Sequence, residues 1–495
     1  METVDIISKQ IASLQKKQWV NLDALPVVSI AAMKKESVTS VTMLGRGSYN
    51  IVYKVVFSDL STIAASISCS DEERFVAAVK ESEIAAMRFV RGSGLYPTIP
   101  VPRVHSWDLT FSNPIGAPYV FMDVVEGITI NKLPKIQIGQ SVLRGLDTLD
   151  AEKQMTLVNT LARVQAALMK PLPDKYSRIG SPVVASVPSE VVVSTLDDAE
   201  VPYDIDIGPM VSLSGRVVGG PWRSLSEMWY SILEGELPVI MERWALLETD
   251  ELDLPWTTPQ EVGELFQTLA ALVPHFVPPA AYLPLVLHHP DMALRNIIVD
   301  PDDYSVVRGV IDWTGARIIP LILAGGYPDD LLTSGDSPFE RDAAIYPNEH
   351  WTSVPNDWTS VGDPSKWPIT HRNNVLLDHR VESKAMVKRF YLRQHFGLCF
   401  SRAMYELHND KDLSHSTLFA DASYYLKFNE AVNGGHYDWV IHAPWIRETF
   451  SRLKALGPYT GKLIRGPNTY KVSAEPEFCD VGVFEPVRVM PDYNS

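Results

Sequence analysis

The sequence is poor in cysteine and has no long uninterrupted apolar run. Its three cysteines, Cys69, Cys399 and Cys479, stand far apart among 495 residues. That spacing excludes a disulfide framework and a cysteine-rich zinc module. The longest apolar stretch, residues 266–287, contains a histidine and four prolines, so we do not expect it to span a membrane. The first thirty residues show no secretory signal pattern, and we therefore expect a cytoplasmic protein.

Basic residues are also scarce relative to acidic ones. Forty-four Lys and Arg stand against sixty Asp and Glu, which gives a formal net charge of -16. Such a surface repels phosphate backbones and anionic lipids, so we expect neither nucleic acid nor a membrane as a partner. Apolar residues make up 46% and charged residues 21%, which is ordinary usage for a folded chain.

The hydrophobic pattern predicts an α+β chain in which a β-rich unit precedes a mainly helical one. Ser70 and Glu73 have the spacing of a capping box, which predicts that the helix of the first unit begins near Ser70. It should continue to Phe89 or Val90. The expected organisation is a lead-in (1–40), a β-rich unit (41–125), a helical unit with an irregular insertion at 174–225 (126–460), and an irregular tail (461–495).

A glycine-containing loop lies between the first two predicted strands. It comprises Gly45, Gly47, Ser48, Tyr49 and Asn50. Glycines let a backbone close over phosphates, although a β-turn also favours glycine and the pattern alone leaves both readings open. The strand–loop–strand setting fits a nucleotide-covering flap. It does not fit a Rossmann turn or a P-loop, because both require a helix after the glycines.

The most distinctive polar pattern lies in the second half of the chain. It comprises His289, Asp291 and Asn296, with Asp312 sixteen residues after Asn296. Asp291 could accept a hydroxyl proton, while Asn296 and Asp312 offer oxygen ligands to Mg²⁺. A predicted hairpin, residues 297–310, would bring Asn296 and Asp312 together. The alternative is that these side chains cap turns and that the histidine fills a core position.

This pattern, HxDxxxxN followed by hydrophobic-Asp-Trp, resembles the aminoglycoside phosphotransferase family, which is related to the protein kinases. It is most similar to a fungal branch whose members mostly lack known substrates. Further similarity lies in residues 45–53, 82–89, 99–104 and 119–127, so that the resemblance covers roughly residues 40–330. It implies a two-lobed protein-kinase-like fold, in which a small antiparallel β lobe with one helix precedes a large, mainly helical lobe.

The resemblance also implies roles for individual residues, with ATP and Mg²⁺ as cofactors. The implied catalytic residues are Asp291 as the base, His289 as a structural member of the catalytic loop, and Asn296, which would hold Mg²⁺ together with Asp312. The implied nucleotide-binding residues are Gly45, Gly47, Ser48, Tyr49 and Asn50 of the flap, Glu83 of the helix, and the main chain of Met122, Asp123, Val124 and Val125 at the adenine. Lys80 joins them as a candidate, because Ser66 departs from the family pattern.

The acceptor implied by this family is a small molecule that bears a hydroxyl group. Asp329 and Asp330 follow the metal aspartate and could meet a cationic group on that acceptor. Carboxylates in a polar loop are, however, more often simply solvated. The oligomeric state has no signal in the sequence.

One position departs from the family pattern. Ser66 stands on the third strand where a basic residue normally pairs with the helix carboxylate, here Glu83. A serine can neither form that ion pair nor neutralise phosphate charge. Lys80, one helical turn before Glu83, could reach the phosphates instead, or it could be a solvated helix residue. A pseudokinase that binds nucleotide with little or no transfer is therefore an alternative to an active enzyme.

A second alternative treats His288, His289 and Asp291 as ligands of a hydrolytic metal. Adjacent residues on a strand point to opposite faces, which makes joint ligation by the two histidines awkward.

Overall fold

A computed structural model describes residues 20–138, 141–143, 145–184, 205–247, 259–332, 389, 391–408 and 417–456. Residues 1–19 of the predicted lead-in and the whole predicted tail, 461–495, lie outside these ranges.

A five-stranded antiparallel sheet forms the N-terminal unit. In spatial order its strands are β1 (Val38–Arg46), β2 (Asn50–Phe57), β3 (Thr62–Ser68), β5 (Tyr119–Met122) and β4 (Val104–Asp108). Burial alternates along β2, where Ile51, Tyr53, Val55 and Phe57 point into the core, as the period of two requires. Helix α1 (Leu25–Met33) joins this small core through Leu25.

Helix α2 (Ala77–Gly92) is the helix expected between the third and fourth strands, but it begins later than predicted. The amides of Arg74 and Phe75 both bond to the carbonyl of Asp71, which makes a turn, and Val76 is extended. The prediction of a helix start near Ser70 is therefore wrong. The amide of Ser70 instead bonds to the hydroxyl of Ser68 at 3.2 Å, because serine side chains compete locally for backbone partners.

The second unit is mainly helical. Its helices are α3 (Ala151–Leu168), α4 (Leu225–Leu247), α5 (Pro259–Leu272), α6 (Leu321–Ala324), α7 (391–408), α8 (Leu418–Asn433), α9 (Gly435–Ile441) and α10 (Ala443–Leu456). Its core contains stacked aromatic rings, such as Phe276 and Phe428 with centroids 3.9 Å apart. Such stacking adds to the free energy gained by burying the rings.

Short antiparallel strand pairs are inserted between these helices. They are β6 (Ile136–Ile138) with β7 (Ser141–Leu143), β8 (Ser181–Val184) with β9 (Ile205–Gly208), β10 (Met210–Val211) with β11 (Val217–Gly219), β12 (Leu285–His288) with β15 (Arg317–Pro320), and β13 (Ile297–Val299) with β14 (Val307–Val310). The described parts of the predicted irregular insertion thus contain β8 to β11.

Helix α2 lies between β3 and β4 in sequence but packs into the core of the second unit. Its buried residues Ile84, Met87 and Phe89 belong to the large helical core, whereas β1, β2, β3 and α1 share a separate small core. The chain is therefore α+β and two-lobed, with a small antiparallel β lobe, one helix and a larger helical lobe, as the sequence predicts. In the described ranges, every helix is too short or too polar to cross a membrane.

Candidate active site

The loop after β12 presents Asp291 and holds its carboxylate from two sides. Asn296 Nδ2 donates to the Asp291 carbonyl at 2.8 Å and to Asp291 Oδ2 at 2.7 Å. The Arg295 guanidinium contacts Asp291 Oδ1 and also reaches Asp329 Oδ2 at 3.0 Å. Charge-assisted bonds of this kind fix orientation strongly. Arg295 was missed in the sequence, although it stands inside the motif, four residues after Asp291.

His289 connects this loop to the segment that carries Asp312. Its Nε2 lies 3.1 Å from the carbonyl oxygen of Ile311. Its ring packs edge-on against the ring of Trp313, with the two ring centroids 4.8 Å apart. Burial lowers the pKa of His289, so the ring is neutral and its Nε2 carries the proton that faces the carbonyl. The structure thus places His289 as a bridge between the two segments.

The β13–β14 hairpin brings Asn296 and Asp312 together. Ile297 pairs with Val310, and the amide of Ile311 bonds to the carbonyl of Asn296 at 2.9 Å. Asp312 itself has a φ of 62°, a left-handed conformation that aspartate and asparagine tolerate better than most residues. The Asn296 amide nitrogen faces Asp291, so its Oδ1 is the atom left for a cation.

Glu83 and Lys80 from α2 complete the charged cluster. Lys80 Nζ lies 2.6 Å from Glu83 Oε2, and both side chains are about nine-tenths buried. The hydroxyl of Thr314 donates to the same Glu83 oxygen at 3.0 Å. Burial, and then the negative charge of Glu83, raise the pKa of Asp312. Three carboxylates, those of Glu83, Asp291 and Asp312, thus act on one another near a single lysine.

Lys80 also lies directly below the glycine-containing loop. With the Asn50 amide oriented to satisfy both of its neighbours, Asn50 Oδ1 accepts from Lys80 Nζ at 3.3 Å, and Asn50 Nδ2 donates to the Tyr49 carbonyl at 3.2 Å. Ser66 lies in the middle of β3, opposite Val52 and Val120, and only 8% of it is exposed. The cation of this cluster therefore comes from the helix and not from the strand.

The loop between β1 and β2 is tight at its base and open around its glycines. The amide of Gly47 bonds to the carbonyl of Asn50 at 2.8 Å. A Cβ at Gly45 would meet no atom within 4 Å, and one at Gly47 would make only ordinary contact. Crowding within the protein therefore does not require these glycines, and space remains for a ligand. Ser48 and Tyr49 are exposed at the tip.

The segment from Met122 to Val125 follows β5 and connects the two lobes. Asp123 Oδ1 lies 2.7 Å from His105 Nε2, and Asp123 Oδ2 accepts from the Arg103 amide at 3.0 Å. Burial opposes ionisation of Asp123, but these two hydrogen bonds outweigh it and lower its pKa. Within the described part of the chain, no hydrogen bond engages the amides of Val124 and Val125.

The histidines do not form a joint metal site. His288 Nδ1 accepts from Arg317 Nε at 3.3 Å, whereas His289 Nε2 faces the Ile311 carbonyl. Over the residues with described coordinates, no group of three or more His, Cys, Asp and Glu side chains is arranged to hold a metal ion. Asn296 and Asp312 alone still fit Mg²⁺, because that ion usually takes one or two protein oxygens and completes its shell with water and phosphate.

A model of the phosphotransferase enzyme family matches residues 68–323, slightly more than half of the chain. The chain belongs to this family. The match includes α2, the segment after β5, the loop from His289 to Asn296, and Asp312 with Trp313. The resemblance inferred from the sequence is therefore confirmed.

Two curated relatives are subtelomeric hrmA-associated cluster proteins from two strains of Aspergillus fumigatus, CEA10 and Af293. Each is 24% identical over 309 residues, which is 57% of this chain and 57% of the relative. The alignment thus spans little more than half the length of these relatives.

The solved structures that the chain matches include the aminoglycoside phosphotransferase APH(4)-Ia, at 14% identity over 88% of this chain and 99% of that one, with a TM-score of 0.35. Another is the GDP and kanamycin complex of APH(2")-IIia, at 13% identity over 87% of this chain and 98% of that one, with a TM-score of 0.31. These low scores add nothing to the family assignment.

Proposed function

We propose that this protein is an ATP- and Mg²⁺-dependent phosphotransferase that moves the γ-phosphate to a hydroxyl group of a small molecule. The observation that carries this proposal is the convergence of Asp291, Asn296 and Asp312 at the open end of one hairpin, in a chain of this family. Phosphoryl transfer requires a positioned base and metal-holding oxygens, with little covalent chemistry from the protein.

Asp291 would orient and deprotonate the acceptor. Its carboxylate takes the hydroxyl proton while the acceptor oxygen forms a bond to the γ-phosphorus. The bond from that phosphorus to the β–γ bridging oxygen breaks, and ADP leaves with the electron pair. Asn296 and Arg295 hold the carboxylate for this step through the hydrogen bonds described above. Positioning of this kind contributes strongly to such reactions.

Asn296 Oδ1 and the Asp312 carboxylate would hold the Mg²⁺ ion, which supplies positive charge to the phosphates when bound. The site is suited to a cation because Glu83 and Asp291 both oppose the ionisation of Asp312. A divalent ion would relieve this repulsion.

Lys80 would replace the strand cation that Ser66 does not provide. Its ammonium group is paired with Glu83 and lies within reach of Asn50 at the base of the flap. A lysine in this position can serve as a point charge for the α- and β-phosphates. The main chain from Met122 to Val125 would contact the adenine, and residues 45–50 would cover the phosphates.

The test is ADP release from ATP in the presence of pooled hydroxylated small molecules, with Mg²⁺ or with a chelator. Wild type should release ADP only with Mg²⁺ and with the correct acceptor. We expect Asp291→Asn to lower kcat by about 10²–10⁴-fold, as for loss of a general base. ATP binding, measured separately by calorimetry, should change little.

Asp303→Asn is the matched control, because Asp303 lies in the exposed β13–β14 turn and only accepts bonds from Ser305. It should retain wild-type turnover. Full transfer by Asp291→Asn would rule out the proposed base.

A second candidate function is nucleotide binding with little or no transfer. The observation that favours it is the buried serine at position 66, which leaves β3 without a cation. Mg²⁺-dependent ATP binding without ADP release, across acceptors of all charge classes, would support this pseudokinase function. A cytoplasmic location and the absence of nucleic-acid and membrane partners remain predictions from the composition.

A further inference from the structure

A cavity of about 310 Å³ lies beside the catalytic loop, in the helical lobe. One wall is formed by His289, Pro290 and Met292, which flank Asp291 in sequence. The opposite walls come from the end of α3, from β15 and from α8. This volume is at the lower end of the range for small-ligand sites, about 300–1,000 Å³, and so suits a small molecule.

Arg317 brings positive charge to this cavity. It lies opposite His288 in the β12–β15 pair, and its Nε donates to His288 Nδ1 at 3.3 Å. In the part of the chain with described coordinates, no carboxylate lies within 4 Å of its guanidinium nitrogens. Its other N–H groups are therefore available, and a guanidinium fork matches the two oxygens of a carboxylate.

The cavity is also lined by two acidic residues and a second titratable histidine. Asp329 is bound to Arg295 at 3.0 Å. Glu430 on α8 also lines the cavity and has its own interactions within the protein. His288 stays neutral, because burial and then the charge of Arg317 lower its pKa well below the ordinary value. Arg317 is therefore the cationic residue of the cavity wall, and Asp329 and Glu430 are its acidic residues.

Gln165 and His289, which line the cavity, each have a buried acceptor atom that no donor among the described residues reaches. Gln165 Nε2 donates to the carbonyls of Ala324 and Gly326, which fixes the amide orientation and leaves Oε1 buried without a hydrogen-bond partner. His289 donates from Nε2 to the Ile311 carbonyl, and its buried Nδ1 also has no hydrogen-bond partner among the described residues. Buried acceptors of this kind are costly unless a donor reaches them.

We infer that this cavity binds the phosphate acceptor as a small hydroxylated carboxylate. Its carboxylate would lie against Arg317, and its hydroxyl groups would donate to Gln165 Oε1 and His289 Nδ1. The inference deepens the proposed function and rests on it, because the bound molecule is a phosphate acceptor only if the protein is a phosphotransferase. His288 and Asp291 are three positions apart in the sequence, so their Cα atoms are at most about 11 Å apart. A molecule of a few carbon atoms spans that distance.

This acceptor differs from the cationic one that Asp329 and Asp330 suggest in the sequence. Asp329 is paired with Arg295, and Asp330 Oδ2 accepts from the Leu294 amide at 2.6 Å. Both carboxylates thus have partners inside the protein, whereas the guanidinium of Arg317 has only a neutral histidine.

The experiment is ligand-observed NMR binding of glycerate, threonate and gluconate, each compared with its neutral amide of the same skeleton. At least one acid should bind to wild type, and its amide should bind at least about tenfold more weakly, since a charge-assisted pair is lost. Arg317→Gln should bind the acid at least about tenfold more weakly than wild type. Arg317→Lys should retain part of the affinity for the acid. Arg402→Gln is the control, because Arg402 is an exposed arginine on α7.

Equal binding of acids and amides, no binding by any acid, or unchanged affinity in Arg317→Gln would each overturn the inference. If Arg317→Gln fails to fold, acetate is titrated into wild type with the acid bound. Displacement of the acid by acetate would support the carboxylate site, and no displacement would contradict it. Parallel ADP-release assays separate the two proposals. Arg317-dependent acid binding without ADP release would support the cavity and contradict transfer to these acids. ADP release with neutral acceptors alone would support phosphate transfer and contradict the carboxylate site.

Discussion

The two walls of the cleft hold their charged groups in different ways. On the catalytic-loop wall, Asp291 is fixed by Arg295 and Asn296, which stand four and five residues later in the same motif. On the other wall, the lysine partner of Glu83 lies on the same helix, and β3 contributes only Ser66. The base thus depends on a local arrangement of the chain. The cation depends only on its position in space, so a different element can supply it.

Packing explains why the helix is a suitable place for that cation. Helix α2 buries its apolar face in the core of the helical lobe, while β3 belongs to the separate core of the sheet. The Thr314 hydroxyl further ties Glu83 to the segment of Asp312. A lysine on α2 is therefore held relative to Asp312, whereas a lysine on β3 would follow the sheet.

Among changes to the wall that carries Glu83, the largest effect is expected from removing the helix cation. Lys80→Met keeps a good helix former but removes the charge, and we expect ATP affinity to fall about 10–100-fold, the range for a charged hydrogen bond. Calorimetric titration of ATP with Mg²⁺ measures this loss. Lys153→Met is the control, because Lys153 is an exposed lysine on α3. Unchanged affinity in Lys80→Met would remove Lys80 from the site.

A second variant tests whether the cation can be moved back to the strand. Ser66→Lys, added to Lys80→Met, should recover about tenfold of the lost ATP affinity, because Glu83 can pair with a lysine from either element. The measurement is the same titration on the double variant. A folded double variant with no recovery would contradict the view that only the position of the charge matters.

A smaller loss is expected from Thr314→Val, which keeps the side-chain shape and removes the hydroxyl bonded to Glu83. One neutral donor to a charged acceptor corresponds to roughly a three- to tenfold loss in nucleotide affinity. Thr156→Val on α3 is the control, because its hydroxyl only bonds within its own helix. An effect as large as that of Lys80→Met would show that Thr314 does more than orient Glu83.

The smallest effect concerns stability without ligand. The pKa of Asp312 is raised by burial and by Glu83, so the folded state favours the protonated carboxyl group. Ionised Asp312 therefore destabilises the fold at neutral pH, and this cost disappears as pH falls through the raised pKa. Asp312→Asn, which suits the φ of 62°, should raise Tm slightly at pH 7 and by less near pH 4. A lower Tm at pH 7 would contradict this account.

The sequence predicted the fold class and the proximity of Asn296 and Asp312, because both depend on local signals. The motif from His289 to Asn296 is contiguous, and the hairpin after it determines where Asp312 lies. The start of α2 at Ala77 was not predictable from the capping-box spacing, because the Asp71–Phe75 turn replaces the first helical turn.

Contacts between distant segments were also missed. Arg317 and His288 meet only because β12 pairs with β15, and Gln165 reaches their cavity from a helix more than a hundred residues earlier. Neither Arg317 nor Gln165 stands in a recognisable sequence motif. The spacing of Lys80 and Glu83 indicated that they could pair, but only the fold shows that the pair is buried beneath the flap.

The central claim is that Asn296 and Asp312 hold a magnesium–nucleotide complex. Its most direct test is calorimetric titration of ATP and ADP, with and without Mg²⁺, on wild type and Asp312→Asn. The account predicts binding that requires Mg²⁺ in wild type and is lost in a folded Asp312→Asn variant. Retained Mg²⁺-dependent ATP affinity in Asp312→Asn, or no binding by wild type at millimolar nucleotide, would contradict it.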